Sequence, residues 1–91
     1  MNLNQKVNIP PQIMVRQVGE DSVLLDLVTG TYYGLDPLGT RIWAMLAKGD
    51  SLQQVHDAVV AEYDVPSNQL LNDLDALMQD LVGRKLVELT G

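Results

Sequence analysis

The sequence predicts an α+β domain in which a small three-stranded antiparallel sheet is followed by three helices. Three observations carry this. Short strand-like segments with alternating apolar residues fill the region from Ile13 to Leu35. From Asp36 onward the apolar spacing changes to the period of helices, and glycines and helix-start residues separate the segments. Strands first and helices second give a sheet packed against a helical trio. With 91 residues the chain builds one domain around one modest core.

Residues 1–12 read as an N-terminal arm, and 13–91 as the domain proper. Pro10 and Pro11 lack the N–H that a central strand needs, so the arm is either disordered or folded over the sheet. Ile13 to Val18 is the first strand, and Gly19-Glu20-Asp21 is a turn. Ser22 to Val28 is the second strand, with Val23, Leu25 and Leu27 on one face. A three-residue loop, Val28-Thr29-Gly30, places Gly30 in the left-handed position of a bulged hairpin. That register pairs Leu27 with Thr31 and Leu25 with Tyr33, and puts Tyr33 and Leu35 on the face of Val23, Leu25 and Leu27. The third strand runs from Thr31 to Leu35.

The helices are expected near residues 37–48, 51–63 and 67–82. Asp36 caps the first and Pro37 suits its first position; Leu38, Ile42, Met45 and Leu46 form its stripe, with Trp43 beside it, and Gly49 ends it. Ser51 and Gln54 form a capping box for the second, whose stripe is Leu52, Val55 and Val59. Asp64-Val65-Pro66-Ser67 breaks that helix and starts the third. There Leu70, Leu74, Leu77 and Leu81 form the core stripe, flanked by Leu71 and Met78, and Gly83 stops it. Leu86, Val87 and Leu89 add a final extended segment. The core expected to be shared by all elements is Leu25, Leu27, Leu35, Ile42, Leu46, Val55, Val59, Leu74, Leu77 and Leu81.

Composition excludes several functions. There is no cysteine, so disulfides, thiolate metal sites and thiol catalysis are absent. No apolar run approaches the ~20 residues of a membrane span, and the N-terminus does not read as a signal peptide. A small cytoplasmic protein fits these features. A net charge of −6 repels phosphate backbones and argues against nucleic acid as the main partner. His56 is the single histidine and reads as a helix-flank residue. Asp73, Asp75 and Asp80 read as a solvated helix face, and Ser51 and Ser67 sit at helix starts, where capping explains them. No Walker loop or dinucleotide-binding turn occurs. The expectation is a protein without catalytic residues, metal or cofactor.

What remains is surface. If the strands pair in sequence order, the outer edge of Thr31-Tyr32-Tyr33-Gly34-Leu35 is unpaired, and it carries neither charge nor proline to guard it. Either another segment of the chain covers this edge, or a partner peptide adds to it as a strand.

Two stretches resemble one family. "VLLDLVTGTYYGLDPLGTRIWAML" is similar to the core signature of PqqD-like proteins: a strand ending in Asp-Leu, a Thr-Gly turn, an aromatic pair, Gly-Leu-Asp, then a helix with Gly and Trp. "AVVAEYDVPSNQLLNDLDALMQDLVGRKLVE" resembles the remainder, so the likeness covers residues 13–89. The resemblance implies a winged-helix-like fold, the RiPP recognition element, which binds the leader of a ribosomally made precursor peptide. It further implies a partner enzyme, either a radical SAM enzyme of pyrroloquinoline quinone synthesis or a leader protease of lasso-peptide synthesis. The leader would lie along Thr31, Tyr32, Tyr33, Gly34 and Leu35, with side chains entering a groove near Asn68, Leu71, Asp75 and Met78.

Two other functions compete. A winged helix-turn-helix DNA reader needs cations on its recognition helix, and residues 66–82 carry three aspartates and no basic residue. A structural subunit that forms a homodimer through its open sheet edge is compatible with the sequence and with peptide binding.

Overall fold

The computed structural model describes residues 2–90. The elements are β1 (Lys6–Asn8), β2 (Ile13–Val18), β3 (Asp21–Asp26), β4 (Tyr32–Leu35), α1 (Pro37–Ala47), α2 (Leu52–Glu62), α3 (Ser67–Gly83) and β5 (Glu88–Thr90). β2, β3 and β4 form an antiparallel sheet in that order, and β1 pairs with β5 in a separate two-stranded ribbon. The α+β architecture and the three helices stand as the sequence predicts them.

Capping chemistry explains the helix starts. The Asp36 carboxylate accepts from the Gly39 N–H at 2.7 Å at the head of α1. At α2 both bonds of the capping box form, Gln54 N–H to Ser51 Oγ at 3.2 Å and Ser51 N–H to Gln54 Oε1 at 2.8 Å. The first two N–H groups of α2 are met from outside the helix: Leu52 donates to the Gln5 carbonyl and Gln53 to the Leu3 carbonyl. The N-terminal arm thus caps α2. Its Leu3, Val7 and Ile9 pack on the core, and β1 seals the ribbon with β5. α3 ends differently from expectation. The left-handed residue is Lys85, with φ 60°, not Gly83, and the Leu86 N–H returns to the Leu81 carbonyl at 2.9 Å. This turn drives Leu86 and Val87 into the core.

The β3–β4 hairpin departs from the sequence reading by one residue. Leu24 lies opposite Tyr33 and Leu25 opposite Tyr32, so Leu27 does not pair with Thr31, nor Leu25 with Tyr33. The cause is Asp26. Its carboxylate accepts from the N–H groups of Val28 at 2.9 Å and Thr29 at 3.2 Å, which turns the chain at once and removes Leu27 from the strand. Gly30 then donates to the Asp26 carbonyl, and Asp26 donates to the Thr31 carbonyl, both at 2.8 Å. Gly30 keeps the left-handed backbone expected of it, with φ 77°.

The slip exchanges the faces of β3. Leu24 is fully buried, whereas Leu27 is 57% exposed and Leu25 only half-buried. Ser22 and Asp26 share the buried face with Leu24, and both are satisfied: Ser22 Oγ lies 2.7 Å from Thr40 Oγ1, and Asp26 holds the loop. Leu25 and Leu27 therefore leave the expected core. Leu77 leaves it too, being half-buried, because the buried line of α3 is Leu70, Leu74, Met78 and Leu81. The other expected core residues, Leu35, Ile42, Leu46, Val55, Val59, Leu74 and Leu81, are buried together.

This register sets an expected outcome. Leu24→Ala should destabilise the fold by about 2–5 kcal/mol, the range for a leucine cavity in a core, whereas Leu27→Ala should change stability by about 0.5 kcal/mol or less, as surface substitutions do. Denaturant melts of both variants decide it, and the reverse order of costs would restore the three-residue loop.

Candidate functional site

β4 is the last strand of its sheet, and among the described residues nothing pairs with its outer edge. The polar groups on that edge follow from the ladder. Asp26 donates to Thr31, so antiparallel alternation turns the N–H and C=O of Tyr33 and Leu35 toward β3. Those of Tyr32 and Gly34 face outward. The Tyr32 side chain lies on the sheet face away from the helices and is 73% exposed. Gly34 has open space where a Cβ would stand.

On the helical side, β4 borders a cleft of about 380 Å³. Tyr33, Gly34, Leu35 and Asp36 form one wall, Leu38, Gly39 and Ile42 of α1 the floor, and Leu70, Asp73, Leu74 and Leu77 of α3 the opposite wall. Gly39 sits close to its neighbours: a Cβ would come within 3.2 Å of both the Asp36 carboxylate and the Leu35 side chain, which would have to give way.

One helical line of α3 governs the cleft. Asp73, Leu77, Asp80 and Arg84 follow one another at intervals of four, three and four residues, so they share a face that looks toward β4. Asp73 and Leu77 line the opening. Farther along, the Tyr33 hydroxyl donates to Asp80 Oδ2 at 2.7 Å, Arg84 Nε donates to Asp80 Oδ1 at 2.9 Å, and the Arg84 guanidinium sits 5.1 Å from the centre of the Tyr33 ring. This trio ties β4 to α3 beyond the cleft.

The sequence-derived site is only partly assembled. Tyr33, Gly34 and Leu35 line the cleft, Tyr32 presents edge groups beside it, and Thr31 ends the loop. The four helix positions do not gather there. Met78 is 2% exposed, within the core. Leu71 and Asp75 line a different cleft with Leu3 and Asn72, and Asp75 accepts from Gln79. Asn68 is exposed in the first turn of α3 and does not line the cleft. The sequence reading missed Asp73 and Leu77. Their signal was available: once Leu70, Leu74, Met78 and Leu81 are taken as the buried line, 73 and 77 fall on the neighbouring one.

His56 bridges two helices, with Nε2 2.8 Å from Ser67 Oγ and Nδ1 3.0 Å from Asp57 Oδ1. Ser67 therefore engages His56 rather than capping α3, whose cap position is Pro66. None of the three residues lines the cleft. Among the described residues no group of three or more His, Asp or Glu side chains could hold a metal ion, and no helix is long and apolar enough to cross a membrane.

Residues 21–87 match the family described as coenzyme PQQ synthesis protein D. The chain belongs to the PqqD family. Curated proteins give no match. Two solved structures share the PqqD-type fold. TbiB1, in complex with the TbiA(beta) leader peptide, is 36% identical over 88% of this chain and 93% of its own, with a TM-score of 0.83. A lasso peptide synthetase B1, complexed with the leader peptide, is 28% identical over 91% of this chain and 98% of its own, also with a TM-score of 0.83.

In this PqqD-family chain the Tyr33–Asp80 bond has a titration signature. The bond, and then burial, push the Tyr33 hydroxyl above its ordinary 10.0, while the same bond, and then Arg84, hold the Asp80 carboxyl below its usual value. The tie therefore stabilises the fold above the unfolded carboxylate pKa and is lost as pH falls through the lower folded value. At the alkaline end it is lost as pH rises through the raised tyrosine value. In an ultraviolet titration read as the difference from Tyr33→Phe, the Tyr33 ionisation should move to lower pH in Asp80→Ala. A titration unchanged by the substitution would show that the tie is not populated.

Proposed function

We propose that the chain is a non-catalytic adaptor that binds the leader segment of a ribosomally synthesised precursor peptide by strand addition to β4. It presents that leader to a modifying or leader-cleaving enzyme. The observation that carries the reading is the unpaired edge of β4 lying directly beside a partly apolar cleft. The two similar structures, each complexed with a leader peptide, support it.

Main-chain bonds to Tyr32 and Gly34 fix the register of such a leader and read little of its sequence. Leader side chains on the face shared with Tyr33 and Leu35 enter the cleft against Leu38 and Leu77. Each fully buried large apolar side chain contributes about 1.5–3 kcal/mol. Two anchors and a strand ladder then reach about micromolar affinity, roughly −8 kcal/mol, after ordering costs.

Gly34 offers the sharper test, because its N–H faces the open edge and not β3. Gly34→Pro removes that donor without touching the existing ladder, and Gly34→Ala adds a methyl group into open space. With the labelled leader peptides of the two similar proteins as probes, anisotropy titrations should give about micromolar binding to wild type. Gly34→Ala should retain it, and a folded Gly34→Pro should lose about tenfold or more, the equivalent of about 1.4 kcal/mol. Equal binding by the proline variant would remove β4 as the docking strand.

A further inference from the structure

We infer that the cleft beside β4 selects a leader bearing a lysine or arginine at the residue that lies opposite Leu35, with its charged end between Asp36 and Asp73. This rests on the strand-addition reading and names the leader chemistry that the site prefers.

The ionisable carboxylates that line the cleft are Asp36 and Asp73, one from the β4–α1 junction and one from α3, and no cationic side chain lines it. The aspartates of α3 differ in a telling way. Asp80 is taken by Tyr33 and Arg84, and Asp75 by Gln79. Asp73 has no hydrogen-bond or ion-pair partner among the described residues, and it is the one of the three that faces the cleft. Asp36 uses Oδ1 to cap α1 and keeps its second oxygen for another donor.

Asp36 and Asp73 are exposed, whereas Leu38 on the floor and Leu77 on the wall are half-buried. The cleft is thus apolar low down and negative at its mouth. A lysine or arginine matches both parts, its methylene stem lying on leucine while the charge stays at the rim. A purely apolar side chain fills only the lower part, and an acidic one meets like charge. The opposite end offers no rival site for a leader carboxylate, because Arg84 is already paired with Asp80 and stacked on Tyr33. The net charge of −6 adds long-range attraction for a basic segment.

The test is a substitution scan of the TbiA(beta) leader peptide, placing lysine, norleucine or glutamate at each position in turn. Anisotropy titrations follow against wild type, Asp73→Asn, Asp36→Asn with Asp73→Asn, and Asp75→Asn. Asparagine at position 36 still caps α1. At one leader position wild type should prefer lysine over norleucine by about 2- to 5-fold at low salt, the span of a partly exposed ion pair, with glutamate weakest. Asp73→Asn should reduce that preference, the double variant should abolish it, and Asp75→Asn should leave it intact. If peptides bind but no position prefers lysine, or if the preference survives in the double variant, the cation site is wrong while strand addition stands. If neither the parent leader nor any variant of it binds wild type, strand addition fails and the cation site with it.

Discussion

Asp26 decides how the sheet meets the helices. Its carboxylate gathers two backbone N–H groups at the start of the β3–β4 loop, so the strand stops there and the loop holds Leu27 to Gly30. Because side chains alternate, a slip of one residue would exchange the two faces of β3 relative to β4. In the register observed, Leu24 lies opposite Tyr33 on the face that meets the core, and Ser22 reaches Thr40 on α1. The same register leaves the polar groups of Tyr32 and Gly34 on the open edge. Core packing and edge chemistry are thus set by one short side chain in a turn.

The parts of the fold legible in the sequence are those governed by local chemistry. Asp36-Pro37, the Ser51–Gln54 pair and Gly49 mark helix ends by the hydrogen bonds they make or the backbone they allow, and they stand where expected. The face of β3 was not legible. Val23, Leu25 and Leu27 outnumber Leu24 as apolar residues, and only the partners supplied by Thr40 and by the loop amides make Ser22 and Asp26 acceptable inside. β1 was equally hidden, since its partner lies at the other end of the chain and a three-residue strand has little pattern of its own. On α3, leucines and a methionine occupy three neighbouring lines, and period alone does not say which faces the core. Tyr33, Gly34 and Leu35 were therefore readable as cleft-lining residues, whereas the expected helix positions Leu71 and Asp75 lie on the flank of α3 opposite to Asp73 and Leu77, with the buried line between them.

That helix line does two things in succession. In the middle of α3, Asp73 and Leu77 line the cleft beside β4. One and two turns beyond Leu77, Asp80 and Arg84 close on Tyr33. A strand lying along β4 thus has depth beneath it at one end and a polar tie at the other.

The ribbon at the chain ends carries a mechanical consequence. Lys6 lies opposite Thr90 and Asn8 opposite Glu88, so the two strands leave the ribbon side by side. A pull on the segments beyond them loads one rung at a time, as in opening a zipper, instead of shearing the three rungs together. The arm would peel first, withdrawing the Gln5 and Leu3 carbonyls from the head of α2. The β2–β3–β4 ladder lies outside that line of force, so a tether at both ends would strain the helical side of the molecule before it reached the strand that is open to a peptide.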